Sequence, residues 1–275
     1  MTTTTLTSDA VSYVCTIVRD RAAIELEFSK AYLIEARLSP LAKQHGFAST
    51  TDFIQGVRSR RQPELERRLV EAMTTNETSF FRDIHPFEAL KKAILPELIR
   101  LRASKRALNI WSAACSTGQE LFSVAMLIRE NFPDLASWNI RLVGTDLSEE
   151  VLRRARDAKF SQVEVNRGLP AALLVKYFQR DGMHWYLCPE LRAMASFTNL
   201  NLIEKWPPLL LMDVVFLRNV LIYFSPETKK QILHKIRQLM APNAVLFLGA
   251  AETTMGLDSS FERVELNNSV FYRTK

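Results

Sequence analysis

The sequence predicts a small helical bundle followed by an α/β domain with a mainly parallel, doubly wound sheet. Three observations lead there. Apolar residues recur at helical spacing from about residue 11 to residue 73. From about Pro86 onward, short apolar runs alternate with helix-like patterns, as β-α-β connections require. The length of 275 residues suits one large domain and one small one, with enough chain to bury a core.

The helical part contains four apolar stripes. Val11, Val14, Cys15 and Val18 form the first, and Leu33, Ile34, Leu38 and Leu41 the second. Phe53, Ile54 and Val57 form the third, and Leu65, Leu69 and Val70 the fourth. Turn-forming residues place breaks near Ser39-Pro40, between Gly46 and Thr51, and near Gln62-Pro63. The result is a bundle of about four short helices.

In the second part, Leu108-Asn109-Ile110-Trp111, residues 140–145, Val214-Val215-Phe216-Leu217 and residues 244–249 read as strands. Residues 121–129, 151–158 and 229–240 read as helices, the last opened by a Ser225 cap with Pro226 behind it. Right-handed crossovers then restrict the topology to a doubly wound sheet. Residues 261–273 read as a hairpin around Asn267-Asn268, which adds an antiparallel strand at one side. Residues 159–198 fit the alternation poorly and read as an insertion, with Trp185-Tyr186-Leu187 as a strand.

Composition excludes several classes. A hydrophobic fraction of 47% is ordinary for a globular protein, and the net charge of +6 is spread among residues of both signs. A nucleic-acid binder usually carries a denser basic stripe. The three cysteines are far apart with no CxxC pair, and the four histidines are scattered, so no metal site and no disulfide framework is expected. The polar, threonine-rich residues 1–10 lack the basic start and apolar stretch of a secretion signal. No apolar run approaches the roughly 18 residues that span a bilayer. A reduced, cytoplasmic setting without membrane insertion is the default, as is a monomer.

Ligands of open α/β sheets bind at the carboxyl ends of the strands, where strand order reverses. Two stretches matter there. The first, Trp111 to Glu120, follows the first strand and opens a helix, and its small residues permit close ligand approach. Gly118 is its one glycine, so the GxGxxG phosphate fingerprint is absent. That weighs against a nicotinamide cofactor, whose pyrophosphate needs the close glycine turn, whereas S-adenosylmethionine has no phosphate and tolerates a less glycine-rich loop. The second, Gly144-Thr145-Asp146-Leu147-Ser148, ends the second strand. An acid there typically accepts the ribose hydroxyls. Ser148, with Glu149 and Glu150 behind it, suits a helix cap. Helix capping by Asp146 and a first-turn dipole role for Glu120 are the competing structural readings.

Together these motifs resemble the chemotaxis receptor methyltransferases, the CheR family. Asn76-Glu77-Thr78-Ser79-Phe80-Phe81-Arg82-Asp83 is similar to the family's interdomain signature. Trp111 to Glu120 and Gly144 to Ser148 resemble its first and second cofactor motifs. Leu217-Arg218-Asn219-Val220-Leu221-Ile222-Tyr223-Phe224 resembles the segment after its fourth strand. Order and spacing agree from about Ser12 to the C-terminus. There are departures: many members read Glu-Glu-Pro-Tyr-Ser after the glycine, where this chain has Gln119-Glu120-Leu121-Phe122-Ser123. Gly249-Ala250-Ala251-Glu252 stands where some members have a His-Ser pair.

The resemblance implies an all-α N-terminal domain at residues 1–75, an interdomain segment at 76–85, and a Rossmann-like class I methyltransferase domain at 86–275. A small antiparallel β-subdomain would be inserted at about 159–198. It implies S-adenosylmethionine as cofactor, with S-adenosylhomocysteine as product, contacted by Asn76, Thr78, Arg82, Glu120, Asp146, Asn201, Leu202, Arg218 and Asn219. Arg82 and Tyr223 would sit nearest the methyl transfer. The implied substrates are glutamates on cytoplasmic helices of methyl-accepting chemoreceptors. Some members also bind a receptor-tail pentapeptide through an insertion in the β-subdomain. Residues 179–186 look short for it, so independence of that peptide is expected.

Other readings exist for several of these features. Arg82 also suits an interdomain salt bridge, and Tyr223 a core aromatic. Trp206-Pro207-Pro208-Leu209 is similar to the Pro-Pro-aromatic motif of nucleic-acid amino-methyltransferases, but precedes the fourth strand and lacks the leading Asn or Asp. Arg58, Arg60, Arg61, Arg67 and Arg68 suit either an acidic partner or a solvated helix face. A nucleic-acid or small-molecule methyltransferase and a non-enzymatic nucleoside sensor are the rival functions.

Overall fold

A computed structural model describes residues 6–275, apart from Arg61, Asn267 and the side chain of Arg60. The chain divides into two compact units. One comprises the described residues up to Thr75 together with Tyr223–Thr228, and the other comprises Asn76–Ile222 and Lys229–Lys275.

The first unit is helical. Helix α1 (Ser8–Ala22) starts at Thr7, whose hydroxyl accepts the Ala10 N–H at 3.2 Å. It is followed by α2 (Ala31–Gln44), α3 (Thr50–Arg60) and α4 (Pro63–Met73). The predicted stripes form the interior, with Val14, Val18, Leu38, Phe53 and Leu69 fully buried. The expected break at Ser39-Pro40 does not occur, because α2 runs through Pro40. Pro40 is exposed, so its ring and the lost N–H bond both fall on the solvent side, while Leu38 and Ala42 keep the buried face packed. The Arg37 guanidinium donates to the carbonyls of Met73 and Thr74 at 2.6 and 2.8 Å, satisfying the open end of α4. The arginines have local partners: Arg58 pairs with Asp9, Arg67 with Glu64 and Glu71, and Arg68 with Glu64. Arg61 and the Arg60 side chain lie outside the described residues. In the Tyr223–Thr228 segment, the Tyr223 carbonyl accepts the Glu25 N–H at 3.3 Å.

The second unit opens with a helical run the sequence reading left unassigned. Helix α5 (His85–Ala89) continues through a π-helical turn, Leu90–Ile94, into α6 (Leu95–Arg102). Pro86 and Pro96 hide the pattern, yet Pro86 sits in the first turn of α5, where a missing N–H costs nothing, and Pro96 falls directly after the π-helical turn. Leu90, Ile94, Leu95 and Leu98 supply its buried face. Then come β1 (Ala107–Ala113), α7 (Gln119–Asn131), β2 (Asn139–Asp146) and α8 (Glu149–Asp157). Segment 76–85, expected as a connector, clusters with this unit: Phe80 is fully buried against Phe160 and Phe178, and the Phe81 N–H donates to the Ser123 hydroxyl at 2.9 Å.

Next come β3 (Lys159–Ser161), α9 (Gln162–Asn166), α10 (Ala171–Tyr177), β4 (Phe178–Asp181), β5 (His184–Leu187) and α11 (Pro189–Arg192). Strands β3, β5 and β4 form a separate antiparallel sheet in that order. The insertion is shorter than expected. Ala195–Asn199 is β6, and it pairs in parallel with β2 in the main sheet. Its sequence, Ala-Ser-Phe-Thr-Asn, buries only Phe197, so no apolar run marks it.

The main sheet is completed by β7 (Met212–Leu217), β8 (Met240–Leu248), β9 (Phe261–Leu266) and β10 (Ser269–Thr274), with α12 (Pro226–Leu239) between β7 and β8. Its order is β6-β2-β1-β7-β8-β10-β9. The first five strands are parallel, and the terminal hairpin adds β10 antiparallel to β8 and β9 antiparallel to β10. Asn267 lies outside the described residues, and Asn268 of that turn has φ +62°. Every residue of β7 is buried, as expected for a strand covered on both faces. Strand order reverses between β1 and β7, so their carboxyl ends splay into a crevice. The predicted class stands: a helical domain before a Rossmann-like domain with an antiparallel insertion.

Candidate active site

The crevice floor is the loop from β1 to α7. Ala114, Ser116 and Gly118 adopt left-handed backbone at φ +60°, +50° and +89°, which curls the loop tightly. Small side chains were expected here to admit a ligand. Gly118 has a different reason to be glycine. A Cβ there would sit 3.0 Å from Phe122, 3.1 Å from Phe197 and 3.2 Å from Ala155, so it faces packed side chains.

Asp146 ends β2 and is 7% exposed. One carboxylate oxygen accepts the Ser116 N–H at 2.9 Å and the other accepts the Ser148 N–H at 3.0 Å. Ser148 is the cap of α8, with its hydroxyl accepting from the Val151 N–H. Asp146 therefore ties the β1 loop to the β2 tip, a role distinct from capping. The Ser116 hydroxyl donates to the Asn76 carbonyl at 2.7 Å, which brings segment 76–84 to the same place.

Glu120, in the first turn of α7, accepts from the Ser112 hydroxyl and from Arg218, both at 2.8 Å. Arg218, just past β7, is the hub: its side chain is 2% exposed. Besides Glu120 it donates to Asp83 at 2.7 Å and to the Arg82 carbonyl at 2.9 Å. Phe81, Asp83 and Ile84 all have positive φ, so this segment is held in a conformation that side-chain-bearing residues avoid. Arg82 itself is half-buried, and its guanidinium donates to the Glu77 carbonyl at 3.0 Å. The Arg167 guanidinium beside Glu77, helped by Arg82, holds that carboxyl below its usual range.

Glu120, Arg218, Arg82, Asn76 and Asp146 are thus linked through few bonds, with Thr78 half-buried on the same segment. Asn201 and Leu202 follow β6, where the Leu200 N–H donates to the Asp146 carbonyl at 3.0 Å. The Asn201 carbonyl accepts from Trp206, which meets Trp111 edge-on at 5.3 Å. That packing gives Trp206 a structural role. Asn219, with φ +58°, lies in the loop leaving β7. Tyr223 falls in the helical unit. Ser112, Ser116, Asp83 and Glu252 also build the site and were not singled out. Their signal lies in partners 8 to 135 residues away, which no local pattern reveals.

Burial pushes the Cys115 thiol well above its ordinary range, and the charges of Asp146 and Glu120 add to this. It offers no thiolate nucleophile. Among the described residues, no group of three or more His, Cys, Asp or Glu could hold a metal ion. No described helix is long and apolar enough to cross a membrane. The donor set suits a nucleoside carrying a positive sulfur. Glu120 accepts from a hydroxyl, Asp146 accepts from two backbone amides, an amide side chain stands at 219, Leu202 is apolar, and no glycine-rich phosphate cradle is present.

Comparison with known proteins agrees. Residues 76–270 match "CheR methyltransferase, SAM binding domain", and residues 9–74 match "CheR methyltransferase, all-alpha domain". The chain is 40% identical over 257 residues to "Chemotaxis protein methyltransferase 1" of Pseudomonas aeruginosa, covering 92% of this chain and 93% of that one. It is 35% identical over 279 residues to "Chemotaxis protein methyltransferase 1" of Vibrio cholerae, covering both chains fully. Both halves are matched in order, and the strand-tip crevice falls inside the matched cofactor domain, so this chain belongs to the CheR methyltransferase family and binds S-adenosylmethionine.

Proposed function

We propose that this chain esterifies glutamate side chains on the cytoplasmic helices of methyl-accepting chemoreceptors, releasing S-adenosylhomocysteine. The observation that supports it most is the buried Asp146 at the β2 tip, tied by two amides into a crevice that Glu120, Arg218 and segment 76–84 close. When bound, S-adenosylmethionine supplies an electrophilic methyl group. A glutamate with pKa near 4.3 is already ionised at neutral pH, so the protein needs no general base. Its task is alignment, which can be worth roughly 7–11 kcal/mol. In this reading Asp146 receives the ribose, Leu202 and Asn201 flank the base, and Asn76, Thr78, Glu120, Arg218 and Asn219 complete the cradle. Arg82 holds the incoming carboxylate in its fixed fork. Tyr223 offers a ring to the positive sulfur, a contact worth about 0.5–2 kcal/mol.

The enzyme works in the cytoplasm as a monomer, and without a receptor-tail pentapeptide. Support for the last point is the β4–β5 connection, a two-residue turn of Gly182 and Met183 with no added loop. Measurable calorimetric binding of the free pentapeptide would overturn it. The main test is transfer of tritiated methyl to receptor cytoplasmic fragments. Label released as methanol by mild base marks a carboxyl ester, whereas base-stable label or transfer to nucleic acid defeats the reading.

A further inference from the structure

We propose that Glu252 is a positioning residue that fixes the β7 loop against the tip of β8 and so sets cofactor affinity without touching the cofactor. One oxygen of its carboxylate accepts the N–H groups of Gly249 at 2.6 Å and Asn219 at 2.8 Å. The other accepts those of Val220 at 2.9 Å and Ile222 at 3.2 Å. A carboxylate offers about four lone-pair sites, and four amides fill them. Glu252 has no capacity left for a ligand, which separates it from Asp146 and Glu120 as a contact residue.

The left-handed turn at Asn219 is what points these amides at one spot, forming a concavity that suits a negative oxygen. In this half-buried site the amides would otherwise lose charge-assisted partners. Gly249 closes the arrangement from the other side. A Cβ there would lie 2.7 Å from the Glu252 carboxylate and 2.8 Å from both the backbone and the side-chain nitrogen of Asn219. The space between the β7 loop and the β8 tip is therefore reserved for the carboxylate alone. Moving either partner shifts Asn219.

The inference rests on the proposed role of Asn219 beside the cofactor. Its test is calorimetric binding of S-adenosylhomocysteine to the full chain as wild type, Glu252→Gln and Gly249→Ala, with melting curves and steady-state kinetics. A glutamine must turn its NH2 toward two of the four amides. Binding is expected to weaken roughly tenfold to hundredfold in Glu252→Gln. KM for S-adenosylmethionine should rise in parallel while KM for the receptor fragment stays put. Gly249→Ala should reproduce the same split, which keeps the proposal open to test if Glu252→Gln unfolds. Unchanged nucleoside binding in either folded variant overturns the positioning role alone. A wild type that fails to bind the nucleoside overturns the reading of the crevice along with it.

Discussion

The two sides of the crevice use one device, a carboxylate that gathers backbone amides across neighbouring strand tips, in different surroundings. On the β2 side, Asp146 holds the Ser116 and Ser148 amides among hydroxyls and small residues. On the β7 side, Glu252 holds four amides, and Arg218 beneath carries ion pairs to Glu120 and Asp83. A hydroxyl or amide partner can be exchanged for a sugar at small net cost. A buried guanidinium cannot release its carboxylate without leaving an unpaired charge, which is far more expensive. The β2 side is therefore open to exchange of its side-chain partners, and the β7 side is rigid, with Asn219 and Arg82 as its proposed contacts.

Arg82, on the segment before α5, and Arg218, just past β7, put that division to the test. Arg82 is half-buried with a single carbonyl at its guanidinium, so removing it should spare the fold and strike the chemistry. Arg82→Ala is expected to lower kcat by about 10²–10³-fold, as for other lost charge-stabilising groups. Urea denaturation should show unchanged stability. Near-normal turnover in a folded Arg82→Ala enzyme would remove it from the active site. Arg218→Leu should strike the fold as well as cofactor binding. It strands Glu120, whose side chain is 12% exposed, and frees the strained turn at Asp83. The expected loss is about 3 kcal/mol of stability by urea denaturation. A stable Arg218→Leu protein would remove Arg218 from the structural frame and leave it only its proposed place in the cofactor cradle.

The same contrast explains which parts of the molecule could be read in advance. The β2 side was legible because its acid stands at a strand end followed at once by a capping serine, all within residues 144–148. The four stripes of the first unit were legible because helical periodicity is local. Glu252 was passed over, since its donors lie up to 33 residues upstream and meet it only once β7 and β8 are adjacent. Strand β6 was missed because parallel pairing with β2 supports a polar edge segment that has almost no apolar pattern. Pro40 misled in the opposite direction: local chemistry forecast a break, and tertiary packing of Leu38 and Ala42 overrode it.

The smallest expected effect comes from the same kind of ion pair outside the crevice, and it tests whether burial is what makes Arg218 costly to lose. Arg273 of β10 meets Glu97 of α6 through its two terminal guanidinium nitrogens, at 3.0 and 2.6 Å. The geometry is as good as at Arg218, yet the two side chains are 27% and 30% exposed. The Arg273 hydrogen bond holds the Glu97 carboxyl below its ordinary value of 4.5, against a weaker opposing push from burial. A carboxyl with a depressed folded-state pKa adds stability above its unfolded value, and that share disappears as pH falls through the folded one. Glu97→Gln should therefore cost no more than about 1 kcal/mol at pH 7, because solvent screens the pair. The gap between variant and wild type in urea denaturation should close as the pH drops below the carboxylate range. If the cost at pH 7 instead matched that of Arg218→Leu, or persisted in acid, then geometry rather than desolvation would set the strength of these pairs. The rigidity assigned to the β7 side would then need another source.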